Sequence, residues 1–377
     1  MNTRLTPLPL CTGKGTEKDP YRAADGTAGI NSTLAMLTER GGRVELPCAR
    51  YDLTAPIEMG LSSTKLVGDV WACNYDPNGV FESKFGTKIR LNGMSFPAIR
   101  LGIEGTISGT LIENLGVQGD IPGMDTRAYF DISNPTAGAG LAFDAVRTDQ
   151  CEIDKLSFCG LGAAVAATAT AEIDACQITR CNMDGCGVGV YFSPRASFYA
   201  RFRDCIIADN PYYGFFADGR GKHIHNLEIT GCHFVRNGGC FAGDLPQEAA
   251  VSLLNITNCE LSRNNFDDPG TFWYYEDTAT ECNERQPQKQ FALALAVTGN
   301  RNRIRDNLFQ NTKGDAVIIK GDSNVLMNNI SDGNVIISGK ENYICGLALR
   351  KEAKLILTPE AVDTQIFGVA EERIVRM

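Results

Sequence analysis

The sequence predicts an all-β solenoid: a single-stranded, right-handed parallel β-helix with one capping helix at its N-terminus. Three observations predict it. Short segments of one form recur along the chain, Gly-led apolar runs separate them, and Cys and Asn repeat within them at equivalent positions. Internal repeats built only of strands and turns, ~20–30 residues long, are the sequence mark of stacked coils.

The recurring segments are AEIDACQITRC (171–181), FRDCIIADN (202–210), EITGCHFVRN (228–237), NITNCELSRN (255–264), RIRDNLFQN (303–311) and NVLMNNISDG (324–333). Aligned, they place Cys176, Cys205, Cys232, Cys259, Asn307 and Asn329 in one ladder, with steps of 29, 27, 27, 48 and 22 residues. A second ladder reads Cys181, Asn210, Asn237, Asn264 and Asn311. Between them lie GVGVYF (187–192), GFFAD (214–218), GCFAGD (239–244) and GDAVIIKGD (314–322). Coils of this kind stack at about 4.8 Å, so equivalent residues meet. Cys fills a narrow interior as a small hydrophobe. Asn accepts left-handed turn geometry, and its amides bond along a stack.

The ends differ from the middle. Residues 1–60 read as an N-terminal cap. Within it, DGTAGINSTLAMLTERGG (25–42) predicts a helix with Asp25 or Thr27 as N-cap and Ile30, Leu34 and Leu37 on one face. Such a helix covers the open edge of the first coil. The β-helix then spans 61–350, interrupted by a loop at 267–290 that lengthens the 48-residue step, and 351–377 reads as closing strands.

Composition narrows the function. Hydrophobic residues make up 43% and charged residues 21%, a globular balance. A net charge of −9 argues against a nucleic-acid partner. No apolar run reaches the ~18–20 residues of a membrane helix. MNTRLTPLPLCTGKG is a poor export signal, so the 14 cysteines read as reduced thiols of a cytoplasmic protein. No CxxC pair exists, and no metal or organic cofactor is expected.

The DGT-led helix, followed by GGRVELPCARYDL and then TKLVGD, resembles the opening segment of the pectate-lyase-like, right-handed β-helix superfamily. That resemblance implies the fold over nearly the whole chain. It also implies a carbohydrate-active enzyme that cleaves or transfers glycosidic bonds of a poly- or oligosaccharide with paired carboxylates on one face. Alternatives within the superfamily are a polysaccharide lyase, with an Arg or Lys base and often calcium, an inulin-fructotransferase-like enzyme, and a non-catalytic, trimeric tailspike-like glycan binder. The polygalacturonase pattern is met only in part. Asn311–Lys320 is similar to its second element, but Ala316 stands where the second Asp belongs, and neither GHG nor RIK occurs.

The site itself is read from the repeat. A polar residue follows each Gly-led run: Ser193, Asp218, Asp244 and, later, Asp322. On this alignment Asp218 and Asp244 sit on adjacent rungs, their carboxyls about 5 Å apart, a spacing suited to a catalytic pair. DGRGKHIH (218–225) adds Arg220, His223 and His225 as substrate-binding groups, the two histidines sharing one face of a strand. The third histidine, His233, follows Cys232 and faces elsewhere. The loop 267–290 supplies Trp273 and Tyr275 as a sugar platform with Glu276 beside them, and Asp267, Asp268, Asp277 and Glu281 as further carboxylates. WACNYDPNGVFESKFGTK (71–88), which holds the other Trp, is a second candidate wall.

Overall fold

Strands too short to stand alone become stable here by stacking on copies of themselves. The computed structural model describes residues 26–377, apart from 36, 38–40, 70–85, 92, 94, 103–104, 120–129, 239–248, 271–292 and 313, together with the short strands Arg4–Leu5, Cys11–Thr12 and Arg22–Ala23. One coil shows the plan. A back strand (Val188–Phe192) leads to a two-residue side strand (Ala196–Ser197), then to two arms (Ala200–Arg203 and Ile206–Ala208), then to the next back strand (Tyr213–Asp218). Back strands form a 12-stranded sheet from Ile57–Met59 to Ile374–Arg376. Successive coils pair in parallel, so the fold is the predicted parallel β-helix. This pairing passes residues 60 and 350 without a break: Ile57–Met59 joins Ile99–Leu101, and Leu355–Leu357 joins Val335–Ile337.

The interior is a set of apolar columns, one per strand position. Leu141, Val165, Val190, Phe215, Val251, Leu295, Val317 and Val335 follow one another along the back sheet and are all buried. Phe234, Phe266 and Phe309 stack along the second arms with ring centroids 5.0 and 4.8 Å apart. At the N-terminal end, the helix Gly26–Ala35 lays Ile30, Leu34 and the following Leu37 into this core. Asn31 fastens it: its Nδ2 donates to the Pro56 carbonyl (2.8 Å), and its Oδ1 accepts the Glu58 N–H (3.0 Å). Because the helix begins at Gly26, Thr27 is helical and cannot be the N-cap, while Asp25 lies outside the described residues.

The ladders are real, but their membership differs from the sequence alignment. Each coil turns at three corners, and a residue with φ near +55° precedes a buried ladder position at each. At the corner between the arms, Arg180, Asp204, Gly231, Arg263, Asp306 and Asn328 take the left-handed conformation. The ladder following them is Cys181, Cys205, Cys232, Asn264, Asn307 and Asn329. At the corner before the first arm, the ladder runs Cys151, Cys176, Ala200, Leu227, Cys259, Asn302, Asn324 and Asn342. A third ladder, Cys186, Asn210 and Asn237, lines the corner before the back strand. The predicted first ladder therefore mixed two columns. The predicted second mixed Cys181 and Asn264 with Asn210 and Asn237, and took in the exposed, left-handed Asn311. Two columns of like composition lie five residues apart in each coil, so alignment on Cys and Asn slips from one to the other.

Nor do the ladder asparagines make the left-handed turns themselves. Their amides close the interior: Asn210 Oδ1 accepts the Cys186 N–H (2.9 Å), while its Nδ2 donates to the Met183 carbonyl (3.1 Å) and to Asn237 Oδ1 (2.8 Å). Among the cysteines, ten are described as free thiols, and eight of them are buried, most as rungs of these columns.

Glycine is required where back strands end. Gly299, Gly321 and Gly339 form one column with φ of 126°, 129° and 111°. A Cβ on Gly321 would lie 2.2 Å from the Gly299 carbonyl oxygen. Gly321→Ala is expected to cost about 2–4 kcal/mol, strain and clash together. A guanidinium denaturation midpoint equal to wild type would refute this.

Candidate active site

Two clusters of titratable groups flank the back sheet, one at each end of its strands. The far cluster contains the residues expected from sequence. Asp218 ends the strand Tyr213–Asp218, and Arg220, two residues on, folds back over it. Arg220 Nε and Nη2 donate to the two carboxylate oxygens at 2.9 and 3.0 Å, and the Arg220 N–H adds a third bond at 3.0 Å. Burial alone would raise the Asp218 pKa, but the bonds and charge of Arg220, with Lys222 nearby, outweigh it and hold the carboxyl below its ordinary value. Asp218 thus has the protonation state of a base or an ion-pair partner rather than of an acid. Lys222 Nζ donates to the Ser193 carbonyl (2.9 Å) and to its hydroxyl, and burial depresses its pKa.

The rung above Asp218 is Leu254, because Phe215–Asp218 pairs with Val251–Leu254. Ser193 and Asp218 do follow the paired Phe192 and Ala217, but the expected ladder does not continue to Asp244, which is not the in-register neighbour of Asp218. The segment 239–244 resembles a back strand in sequence, but the strand that takes that place begins at Ala249. Asp244 itself lies outside the described residues, as do Trp273, Tyr275, Glu276, Asp277, Glu281 and Trp71. His223 and His225 do share a face, with ring centroids 6.3 Å apart and planes 24° from parallel. His233 is separate, on the second arm, where its Nε2 hydrogen-bonds Asn265 Nδ2 at 2.9 Å.

The near cluster, at the third corner, escaped the sequence reading. Its left-handed column is Gly185, Asp209, Arg236, Asp268 and Asn311, with φ between 50° and 61°. Arg236 reaches down one coil: Nε donates to Asp209 Oδ1 at 2.7 Å, and Nη2 to Oδ2. Asp184 ends the strand Asn182–Asp184, with Cys159 on the rung below and Ala208 above. Its carboxyl is partly exposed and accepts no hydrogen bond among the described residues. Burial pushes its pKa up to about 7, the charge of Asp209 adds to the rise, and Arg236 offsets part of it. One carboxyl that titrates near pH 7 beside another chelated by arginine is a division of roles that acid–base chemistry uses.

Three long connections also start at this corner: 119–138, 236–248 and 268–292, after the strands Leu111–Gln118, His233–Val235 and Asn265–Asp267. The coils between them turn in three or four residues, at 160–162, 185–187 and 209–212. Asp184 and Asp209 belong to those short-turn coils. Beside them, the outer face of the back sheet carries Tyr191, Tyr213 and Phe216, with Phe130 packed over Tyr191 at 5.7 Å between ring centroids. One sequence signal marked this site: an acid and a base, Asp209 and Arg236, each directly before a ladder asparagine. Among the described residues, no group of three or more His, Cys, Asp or Glu is arranged to hold a metal ion, and no helix is long and apolar enough to cross a membrane.

A family model described as the right handed beta helix region matches residues 130–266. The protein is a right-handed parallel β-helix. Solved β-helix structures agree along its whole length. DFA-IIIase from Arthrobacter chlorophenolicus A6 without its lid superposes with a TM-score of 0.68 at 13% identity, covering 100% of this chain and 99% of the other. The same lidless enzyme in complex with GF2 gives 0.68 at 12% identity, again over 100% and 99%. Its C387A mutant in complex with DFA-III gives 0.63 at 13% identity, over 100% and 99%. At these identities the likeness is one of fold. No curated protein sequence matches this β-helix.

Proposed function

We propose that this β-helix is a carbohydrate-active enzyme that breaks or transfers glycosidic bonds of an oligo- or polysaccharide, with fructans as the first substrate class to test. One observation carries the reading: the chain superposes end to end on an enzyme crystallised with GF2 and with DFA-III. The arrangement of this chain's own groups supports it. A carboxyl that titrates near pH 7 lies on one flank beside one held by arginine, and arginine–carboxylate pairs that suit polar sugars lie at both ends of the back strands.

The test is a substrate panel read by mass spectrometry, with inulin, GF2, DFA-III, pectins, uronans and host-type glycans. A fructan product is the expected result. Release of difructose anhydride from inulin would mark a fructotransferase, and addition of water to DFA-III a hydrolase. An unsaturated uronate from pectin would replace the reading with a lyase. The panel unchanged after prolonged incubation would overturn it.

A further inference from the structure

We propose that Asp184 is the proton donor to the glycosidic oxygen, with the Asp209–Arg236 pair as its positioning residues, at a site on the third corner of the coils. The assignment rests on the carbohydrate reading above and goes beyond it by naming the groups that act. Four features of the chain meet at this corner. Asp184 is the one carboxyl there without a hydrogen-bond partner among the described residues, and it retains solvent access. Asp209 stands one residue on and one rung up, ionised by its two bonds to Arg236. Asp268 follows Arg236 on the next coil, so acid and base alternate along the column. The coils of Asp184 and Asp209 turn tightly here, in three and four residues, at 185–187 and 209–212. Cys159, on the rung below, and Cys186, two residues after Asp184, are titratable neighbours too, and both are buried thiols.

The step balances without any added cofactor. The Asp184 proton passes to the bridging oxygen as the bond from the sugar carbon to that oxygen breaks, its electron pair leaving with the oxygen. An acceptor hydroxyl, from water or from the same saccharide, bonds to the sugar carbon. Its proton returns to Asp184. Asp209 is not the nucleophile, since Arg236 occupies both its oxygens. It keeps a negative charge beside Asp184, and Arg236 keeps that charge in place.

The experiment takes the full chain and the panel substrate that gives product. Asp184→Asn is expected to lower kcat by about 10²–10⁴-fold, the usual weight of a general acid, and Asp184→Glu to restore part of it. The basic limb of the pH profile is expected to lie near pH 7. Asp209→Asn, which removes a negative charge, should move that limb to lower pH. Arg236→Met, which removes a positive charge, should move it higher. A merely structural role predicts neither shift. Wild-type turnover with an unaffected Asp184→Asn variant, or with limbs that ignore both positioning substitutions, overturns the assignment and leaves the carbohydrate reading standing. If wild type acts on no glycan, the reading fails, and the assignment that rests on it fails too.

Discussion

Asn329→Ala is expected to lose about 3–5 kcal/mol of stability, far more than a surface asparagine would, because the change orphans groups inside the stack. Asn329 is 1% exposed. Its Oδ1 accepts both the N–H and the Nδ2 of Asn307, each at 3.0 Å, and its Nδ2 donates to the Ile304 carbonyl at 2.8 Å. Alanine supplies none of these partners. The residue before it is the control. Asn328 is exposed and takes φ of 53°; its backbone N–H donates to the Cys345 carbonyl (2.9 Å), and its side chain bonds to the Asp306 side chain, at 3.2 Å. Asn328→Gly removes that surface bond but suits the left-handed backbone, so a change within about 1 kcal/mol of wild type is expected. Denaturant midpoints of the two variants decide the matter. Equal losses would mean that the interior amide column is not what holds the coils in register.

Those two adjacent asparagines show why the sequence was legible only in part. Repetition of short strands, with Cys and Asn between them, was enough for the parallel β-helix and for the helix that covers its first coil, because both follow from local pattern and spacing. Membership of the columns was not legible. Cys176 and Cys205 look equivalent, yet they line different corners, and only the strand register tells them apart. The left-handed position carries Arg180, Asp204, Arg263, Asp306 or Asn328 with equal ease. Its side chain points to solvent and packing does not select it, so no residue type announces it. The same applies to the site. Asp209 and Arg236 are 27 residues apart, and Asp184 and Asp209 are 25 apart. Their meeting depends on coil lengths that a Cys and Asn alignment misassigns. Asp218 and Arg220 were easier to find because they are neighbours in the chain, and the structure shows them neutralising each other.

Asp184→Asn should also stabilise the fold, and only above acid pH. The folded protein holds the Asp184 pKa at about 7, through burial first and then the charge of Asp209, against an ordinary value of 3.8. A carboxyl whose pKa is raised on folding is most compatible with the fold when protonated. Its contribution is intact below pH 3.8, where both folded and unfolded chains carry the proton. Between there and about pH 7 the unfolded chain has already released the proton while the folded one keeps it, so stability falls by up to ~1.4 kcal/mol per pH unit. Above pH 7 both states are ionised and the loss is complete. Partial solvent access at the carboxyl screens some of this, so the full excursion is on the order of 2–4 kcal/mol. Asparagine is neutral throughout. The difference in Tm between Asp184→Asn and wild type should therefore be smallest near pH 4, widen steadily to pH 7, and stay level from pH 7 to 9. Groups that do not interact with Asp184 titrate alike in both proteins and cancel from the difference. A gap that does not change with pH would place the Asp184 pKa near that of an ordinary carboxyl and remove the physical basis for a neutral acid at this corner. A gap that widens as expected, in a variant that has lost turnover, would show that the carboxyl whose ionisation costs the fold stability is the one that serves the reaction.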